Sequence, residues 1–214
     1  MIKNFFFDLG NVLLDIDPQR TLDQLSKLIA CDAPFSPSDL FGTGANKLVA
    51  DYQEGTITSD LFFESIRSLC RPHTTTQQII EAWDAMLIRI PPTRVEAIRR
   101  LRDKGHNVYI LSNINEEHLR WARNHFDEVG LTIGKDINTA FFSNEMHLAK
   151  PDLRIFSQAI RTSRVNPSET LYIDDQQKNI DAGAKMGFHV LCAVRDQWLE
   201  PIKLIMDNYR TLES

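Results

Sequence analysis

Five short runs, residues 4–8, 107–112, 139–143, 170–174 and 188–194, are apolar without polar alternation and rich in Phe, Val, Ile, Leu or Tyr. Strands that read this way are covered by helices on both faces, as in a parallel sheet. Between the later runs the apolar positions change to a helical spacing. Residues 93–104 set Val95, Ile98 and Leu101 on one face and stop at Gly105, a residue type that ends helices because it accepts left-handed backbone. Residues 116–126, 153–162 and 179–186 continue the alternation, the last stopped by Gly187. Strand and helix trading places predicts βαβ units, hence an α/β fold with a doubly wound parallel sheet.

The stretch 18–91 breaks that rhythm. Its apolar residues fall at helical spacing (Leu22, Leu25, Leu28, Ile29; Leu61, Phe62, Ile66, Leu69; Ile79, Ile80, Trp83, Met86, Leu87) and no strand stands out. Ser59 or Asp60 is placed to cap the middle helix, and Asp17-Pro18 to lead into the first. Pro91-Pro92 closes the stretch, since proline turns the preceding residue away from helix. The expectation is an all-α cap domain at 18–91, inserted into an α/β core of 1–17 plus 92–214. After Gln197, Trp198, Ile202, Ile205 and Met206 predict one terminal amphipathic helix.

Composition narrows the function more than the fold. With 43% hydrophobic and 25% charged residues, the 214-residue chain has enough apolar material for a sizeable core. The net charge of −5 is spread along the chain without a basic stripe, which argues against nucleic acid as a partner. Cys31, Cys70 and Cys192 are odd in number and far apart, as expected of free thiols in a reducing cytosol. No run approaches the roughly 18 apolar residues of a membrane span, and the apolar start is too short for a signal peptide. Cytoplasmic location is the expectation.

Ligands of open parallel sheets sit beyond the carboxyl ends of the strands. Those ends carry Asp8, then Ser112 and Asn113, then Asp174 and Asp175. Lys150 is expected to open a helix with Pro151 in its first turn. Carboxylates with a few waters suit Mg²⁺, and a lysine and a hydroxyl beside them suit a phosphate.

Phe7-Asp8-Leu9-Gly10-Asn11-Val12-Leu13, Leu111-Ser112-Asn113, Lys150-Pro151 and Ile173-Asp174-Asp175 with Asn179 resemble, in order, the four motifs of the haloacid dehalogenase (HAD) superfamily. The first motif is similar to that of helical-cap phosphatases acting on sugar phosphates such as glucose 1-phosphate. The resemblance implies a HAD-like Rossmannoid core and an Mg²⁺-dependent phosphomonoester hydrolase whose substrate is a small phosphorylated metabolite. Asp8 would attack phosphorus and form an aspartyl-phosphate. Asp8, the Gly10 carbonyl and Asp175 would hold the metal, with Asp174 and Asn179 supporting its shell. Ser112, the backbone near Asn113, and Lys150 would bind the phosphoryl oxygens, and Lys150 would also neutralise the nucleophile. Phosphoryl transfer depends on such positioning and neutralisation.

Gly10 departs from the pattern, because most family phosphatases carry a second Asp there as general acid and base. A positioned acid contributes roughly 10²–10⁴ in rate. Three accounts are open: a leaving group that needs less help, a substitute such as Asp15, Asp17 or a cap residue, or a weakly active or inactive protein that binds. A 2-haloacid dehalogenase would share Asp8 without needing the acids at 174 and 175, and a phosphomutase would need the missing Asp. Both rank lower.

Gly42-Thr43-Gly44-Ala45-Asn46-Lys47 lacks P-loop spacing and follows no strand, so it reads as a cap loop. Residues 52–58 resemble a cap segment of the subgroup and are expected to form a turn between helices. His118 and His125 are seven apart, too far for an i,i+4 metal pair, and read as surface or packing residues. No GxSxG supports a serine hydrolase. Arg20, Lys47 and Trp83 are candidate contacts to the leaving group.

Overall fold

The computed structural model of the chain describes residues 1–30 and 47–210. Cys31 and the Gly42-to-Asn46 part of the glycine-containing loop lie outside the described residues. Five strands, β1 (Asn4–Phe7), β4 (Asn107–Ser112), β5 (Thr139–Phe142), β6 (Thr170–Asp174) and β7 (His189–Cys192), form one parallel sheet in the order β5-β4-β1-β6-β7. Phe5 pairs with Val108 on one side and Leu171 on the other.

Alternate residues of β1 enter different cores, because successive side chains of a strand point to opposite faces. Phe5 and Phe7 join Ile98 and Leu101 of α5 (Pro92–Asp103), Leu119 and Phe126 of α6 (Glu116–Glu128), and Ile202 of α10 (Leu199–Arg210). Phe6 joins Ile155 and Phe156 of α8 (Leu153–Ser163) and Ile180 of α9 (Gln177–Lys185) on the other face. There its ring stacks on Tyr109 at 4.6 Å. α9 lies so close to β6 that a Cβ on Gly183 would stand 2.6 Å from Tyr172 Cδ1, so this helix position requires glycine.

Between the first and second sheet strands stand α1 (Pro18–Leu28), α2 (Lys47–Gln53), α3 (Ser59–Arg67) and α4 (Thr76–Asp84). They share an apolar cluster of their own around Leu25, Tyr52, Phe62, Ile66, Ile79 and Trp83. Asp17 caps α1 by accepting from Gln19 N. Thr58, rather than Ser59 or Asp60, caps α3, accepting from Leu61 N. Residues 54–58 form the expected turn. Gly55 has φ 68°, and a Cβ there would come within 2.2 Å of Asn144 O in the short helix α7 (Ser143–Met146).

The stretch 18–91 is not helical throughout. Leu87–Arg89 is a strand, β3, pairing antiparallel with β2 (Asp15–Ile16). Met86 and Leu87 continue the apolar spacing of α4, so local periodicity extends the helix past its true end at Asp84. The partner strand lies some seventy residues away in the chain, beyond any local window.

Candidate active site

β1, β4 and β6 end on one rim and deliver Asp8, Ser112 and Asp174 to it. Lys150 does not open a helix. It occupies the turn before α8, whose N-cap is Asp152, and its peptide bond to Pro151 is cis. The Asn113 side chain holds that turn: Nδ2 donates to Lys150 O at 2.9 Å, and Lys150 N donates to Asn113 Oδ1 at 2.8 Å. Asn113 thus uses its side chain to place Lys150 and has only its backbone to offer a ligand.

Lys150 Nζ donates to Asp8 Oδ1 at 2.8 Å, Asp174 Oδ2 at 2.6 Å and Leu111 O at 2.8 Å. Its side chain is 1% exposed, so both ion pairs lie in a medium of low polarity and are only weakly screened. Burial alone would pull the ammonium down, but Asp8 and Asp174 outweigh it and raise its pKa. Burial likewise opposes ionisation of Asp174, yet Lys150, the Tyr172 hydroxyl and Gln176 N–H hold it below the usual carboxylate range. Burial pushes Asp8 up to about 6 against the pull of Lys150, with Asp174 and Asp175 adding to the rise. Asp175 is raised by burial first and then by Asp174.

Asp8, Gly10, Ser112, Lys150, Asp175 and Asn179 line one cavity of about 300 Å³. The Ser112 hydroxyl is bonded to no protein group among the described residues. Oxygens of Asp8, Asp174 and Asp175 lie within 4.8 Å of one another, close to the ~4 Å span of two oxygens sharing one small cation. Asp175 Oδ1 and Asn179 Oδ1 are buried and accept no hydrogen bond. Asp174 differs, because it already accepts from Lys150, Tyr172, Gln176 and Asn179. The donor set fits a divalent cation: hard oxygens, two of them unpartnered, and three carboxylates against one ammonium.

Three parts of this site were not expected. Tyr172 OH donates to Asp174, and Asn11, at φ 55°, donates to Asp175 Oδ2 at 3.4 Å. His118 is the third: it is neither a surface residue nor only a packing one, for it lines the cavity. Alternation within a strand would have placed Tyr172 on the same face as Asp174, whereas the Asn11 and His118 contacts carry no local signal. Trp83 lines the cavity as well, and Arg20 and Lys47 do not. Lys47 pairs with Asp51 at 2.5 Å.

The two carboxylates nearest Gly10 in sequence are engaged elsewhere. Asp15 pairs at 2.8 Å with Arg94, whose side chain is buried and also bonds Asp196 and Leu13 O. Asp17 caps α1. Neither lines the cavity. Ile16 occupies the space beside Gly10, with Cδ1 3.2 Å from where a Cβ would stand.

Asp84 ends α4 beside the site. Burial and then Glu117 push its carboxyl up to about 7, with Arg120 opposing. Because this value lies above the unfolded one of about 3.9, the contribution to stability is full below that pH and is lost as pH rises through about 7. Asp84→Asn is therefore expected to match the wild-type melting temperature below pH 4 and exceed it above pH 7. Melts across pH 3–8 check this, and a constant gap between the two curves would refute it.

The model of the haloacid dehalogenase-like hydrolases matches residues 2–187. The chain belongs to this family. The D-ribitol-5-phosphate phosphatase of Bacteroides thetaiotaomicron is 30% identical over 210 residues, covering 97% of this chain and 100% of that protein. A HAD family enzyme of the same organism, solved as an aspartate-to-alanine variant with magnesium and inorganic phosphate, superposes with a TM-score of 0.81 at 27% identity, over 90% of this chain and 94% of that one. A predicted HAD-like family hydrolase of Porphyromonas gingivalis gives 0.84 at 26% identity, over 96% and 98%. HAD membership matches the expectation drawn from the four motifs, and the parallel sheet with flanking helices matches the expected core.

Proposed function

We propose that this HAD protein is a Mg²⁺-dependent phosphomonoester hydrolase acting on a small phosphorylated metabolite through an aspartyl-phosphate on Asp8. One observation carries the reading: Lys150 ties Asp8 to Asp174 while Asp175 Oδ1 and Asn179 Oδ1 stand buried without donors. That is the arrangement of a charged cradle for a cation and a phosphoryl group. The similar phosphatase and the magnesium and phosphate complex support it.

Asp8 Oδ1 is held by Lys150, so Oδ2 is the attacking oxygen. Lys150 offsets charge on the nucleophile and on the phosphoryl group. Ser112 Oγ and the Asn113 backbone receive phosphoryl oxygens. Asp8, the Gly10 carbonyl and Asp175 would hold the metal, and Asp174 orients Lys150 and Asn179. The cation would neutralise the developing charge. With Asp15 and Asp17 committed elsewhere, protonation of the leaving oxygen falls to water, which then opens the aspartyl-phosphate. In this reading 1–17 plus 92–214 is the core, and 18–91 is a cap whose closure excludes solvent. The chain works in the cytosol, for which the free thiols of Cys70 and Cys192 and the absence of a membrane-length apolar helix among the described residues are the support.

An assay over sugar phosphates, polyol phosphates and nucleotides, with and without Mg²⁺, is expected to show turnover that EDTA abolishes and Mg²⁺ restores. Turnover indifferent to EDTA sinks the reading. Halide release from a 2-haloacid without metal would put a dehalogenase in its place.

A further inference from the structure

The cavity also has an apolar wall, lined by Leu14, Ile16, Pro18, Trp83, Met86 and Leu87. His118 stands in this wall. Asn115 caps α6 by accepting from His118 N at 3.0 Å, and the imidazole lies against the Trp83 indole with centroids 5.1 Å apart and planes at 21°. His118 Nε2 is 3.3 Å from Trp83 O. That carbonyl only accepts, and Thr21 Oγ1, which donates to it at 2.7 Å, keeps it in place. The ring proton therefore sits on Nε2, and Nδ1 is an acceptor. No protein group among the described residues bonds Nδ1.

We propose that His118 Nδ1 accepts a hydrogen bond from a hydroxyl of the leaving group, and so selects phosphate monoesters of small polyhydroxylated alcohols. The proposal rests on the phosphatase reading above. A cavity of about 300 Å³ holds a phosphoryl group and a leaving group of a few carbons. A fixed acceptor in an apolar wall discriminates strongly, because a substrate without a donor leaves it desolvated and unpaired. A phosphate oxygen, an acceptor itself, gains nothing there, so His118 reads the alcohol rather than the phosphate. Burial holds the imidazole down to about 4, which keeps it uncharged at neutral pH. Asp84, 3.7 Å from Nε2, faces the protonated nitrogen and leaves Nδ1 free for substrate.

The test compares ribitol 5-phosphate, pentyl phosphate (equal chain length, no hydroxyl) and p-nitrophenyl phosphate, with Mg²⁺, for wild type, His118→Phe and His118→Asn. Wild type is expected to hydrolyse p-nitrophenyl phosphate and to prefer ribitol phosphate to pentyl phosphate. His118→Phe keeps the aromatic contact and removes the acceptor. Its ratio of kcat/KM for ribitol over pentyl phosphate should fall roughly 10–100-fold. His118→Asn, whose amide oxygen can stand where Nδ1 does, should regain most of that ratio. A ratio unmoved by Phe, or Asn no better than Phe, overturns the proposal. So does a wild type that treats the two alkyl esters alike, which needs no variant to fold. Failure of wild type on all three esters would instead remove the phosphatase reading beneath it.

Discussion

Asp8→Asn is expected to lower kcat by more than about 10⁴-fold while leaving the fold intact, because an amide cannot form the aspartyl-phosphate proposed above. Lys150 cannot act in its place, since it is a buried ammonium bonded to three oxygens. The fold should survive for an electrostatic reason. The folded value of Asp8 is raised to about 6, above the unfolded one, so this carboxyl stabilises the metal-free protein at low pH and loses that contribution as pH rises through about 6. A neutral amide of the same shape removes the penalty. Metal-free Asp8→Asn should therefore melt no lower than wild type at pH 8. Turnover within tenfold of wild type would move the nucleophile elsewhere, and a collapsed melting curve would contradict the electrostatic account.

Lys150→Met is expected to cost both activity and stability. The methionine fills a similar volume but leaves Asp8, Asp174 and Leu111 O without their shared donor. Breaking a buried ion pair from one side costs about 3–5 kcal/mol, mostly because the remaining charge stays buried and uncompensated. Here two carboxylates lose their partner, so urea unfolding without metal at pH 7–8 should show a loss of that size. Mg²⁺ should recover part of it, because the cation would sit against the same carboxylates. Turnover should fall at least ~10²–10³-fold, the usual effect of removing one preorganised charge from a transition state. Lys150→Arg should not rescue, since a planar fork does not fit the three-point site of an ammonium. A stability loss under 1 kcal/mol would show that Lys150 is less central to the charge balance than its contacts imply.

Gly10 now has a physical setting. Ile16 arrives from β2, and β2 is held by β3 and by the buried Arg94. The space a second carboxylate would use is thus bounded by an apolar side chain. Asp15, the nearest alternative, faces Arg94 instead of the cavity. Departure from the family motif and local packing agree, and the proposed mechanism accordingly gives Gly10 no proton to carry.

The sheet and most of its helices were legible because their information is local. Phe5-Phe6-Phe7 is apolar at every position, as expected of a strand covered on both faces, and Val95, Ile98 and Leu101 repeat at helical spacing. The carboxylates were legible too, since a strand end in a parallel sheet faces the ligand side whatever the neighbours are. Other features depended on residues far apart in the chain meeting in space. Leu87–Arg89 is a strand only because Asp15–Ile16 lies beside it, and Asp15 meets the buried Arg94 only because α5 brings it there. Asn113 reads only as a phosphate-binding strand end, and the fold alone shows its side chain bonded to the backbone of Lys150. His118 reads as a packing residue until Trp83 O, thirty-five positions away, sets its tautomer. Side-chain periodicity is a property of a dozen neighbouring residues. Charge pairing, tautomer and cavity shape belong to contacts across the fold, and those only the tertiary structure decides.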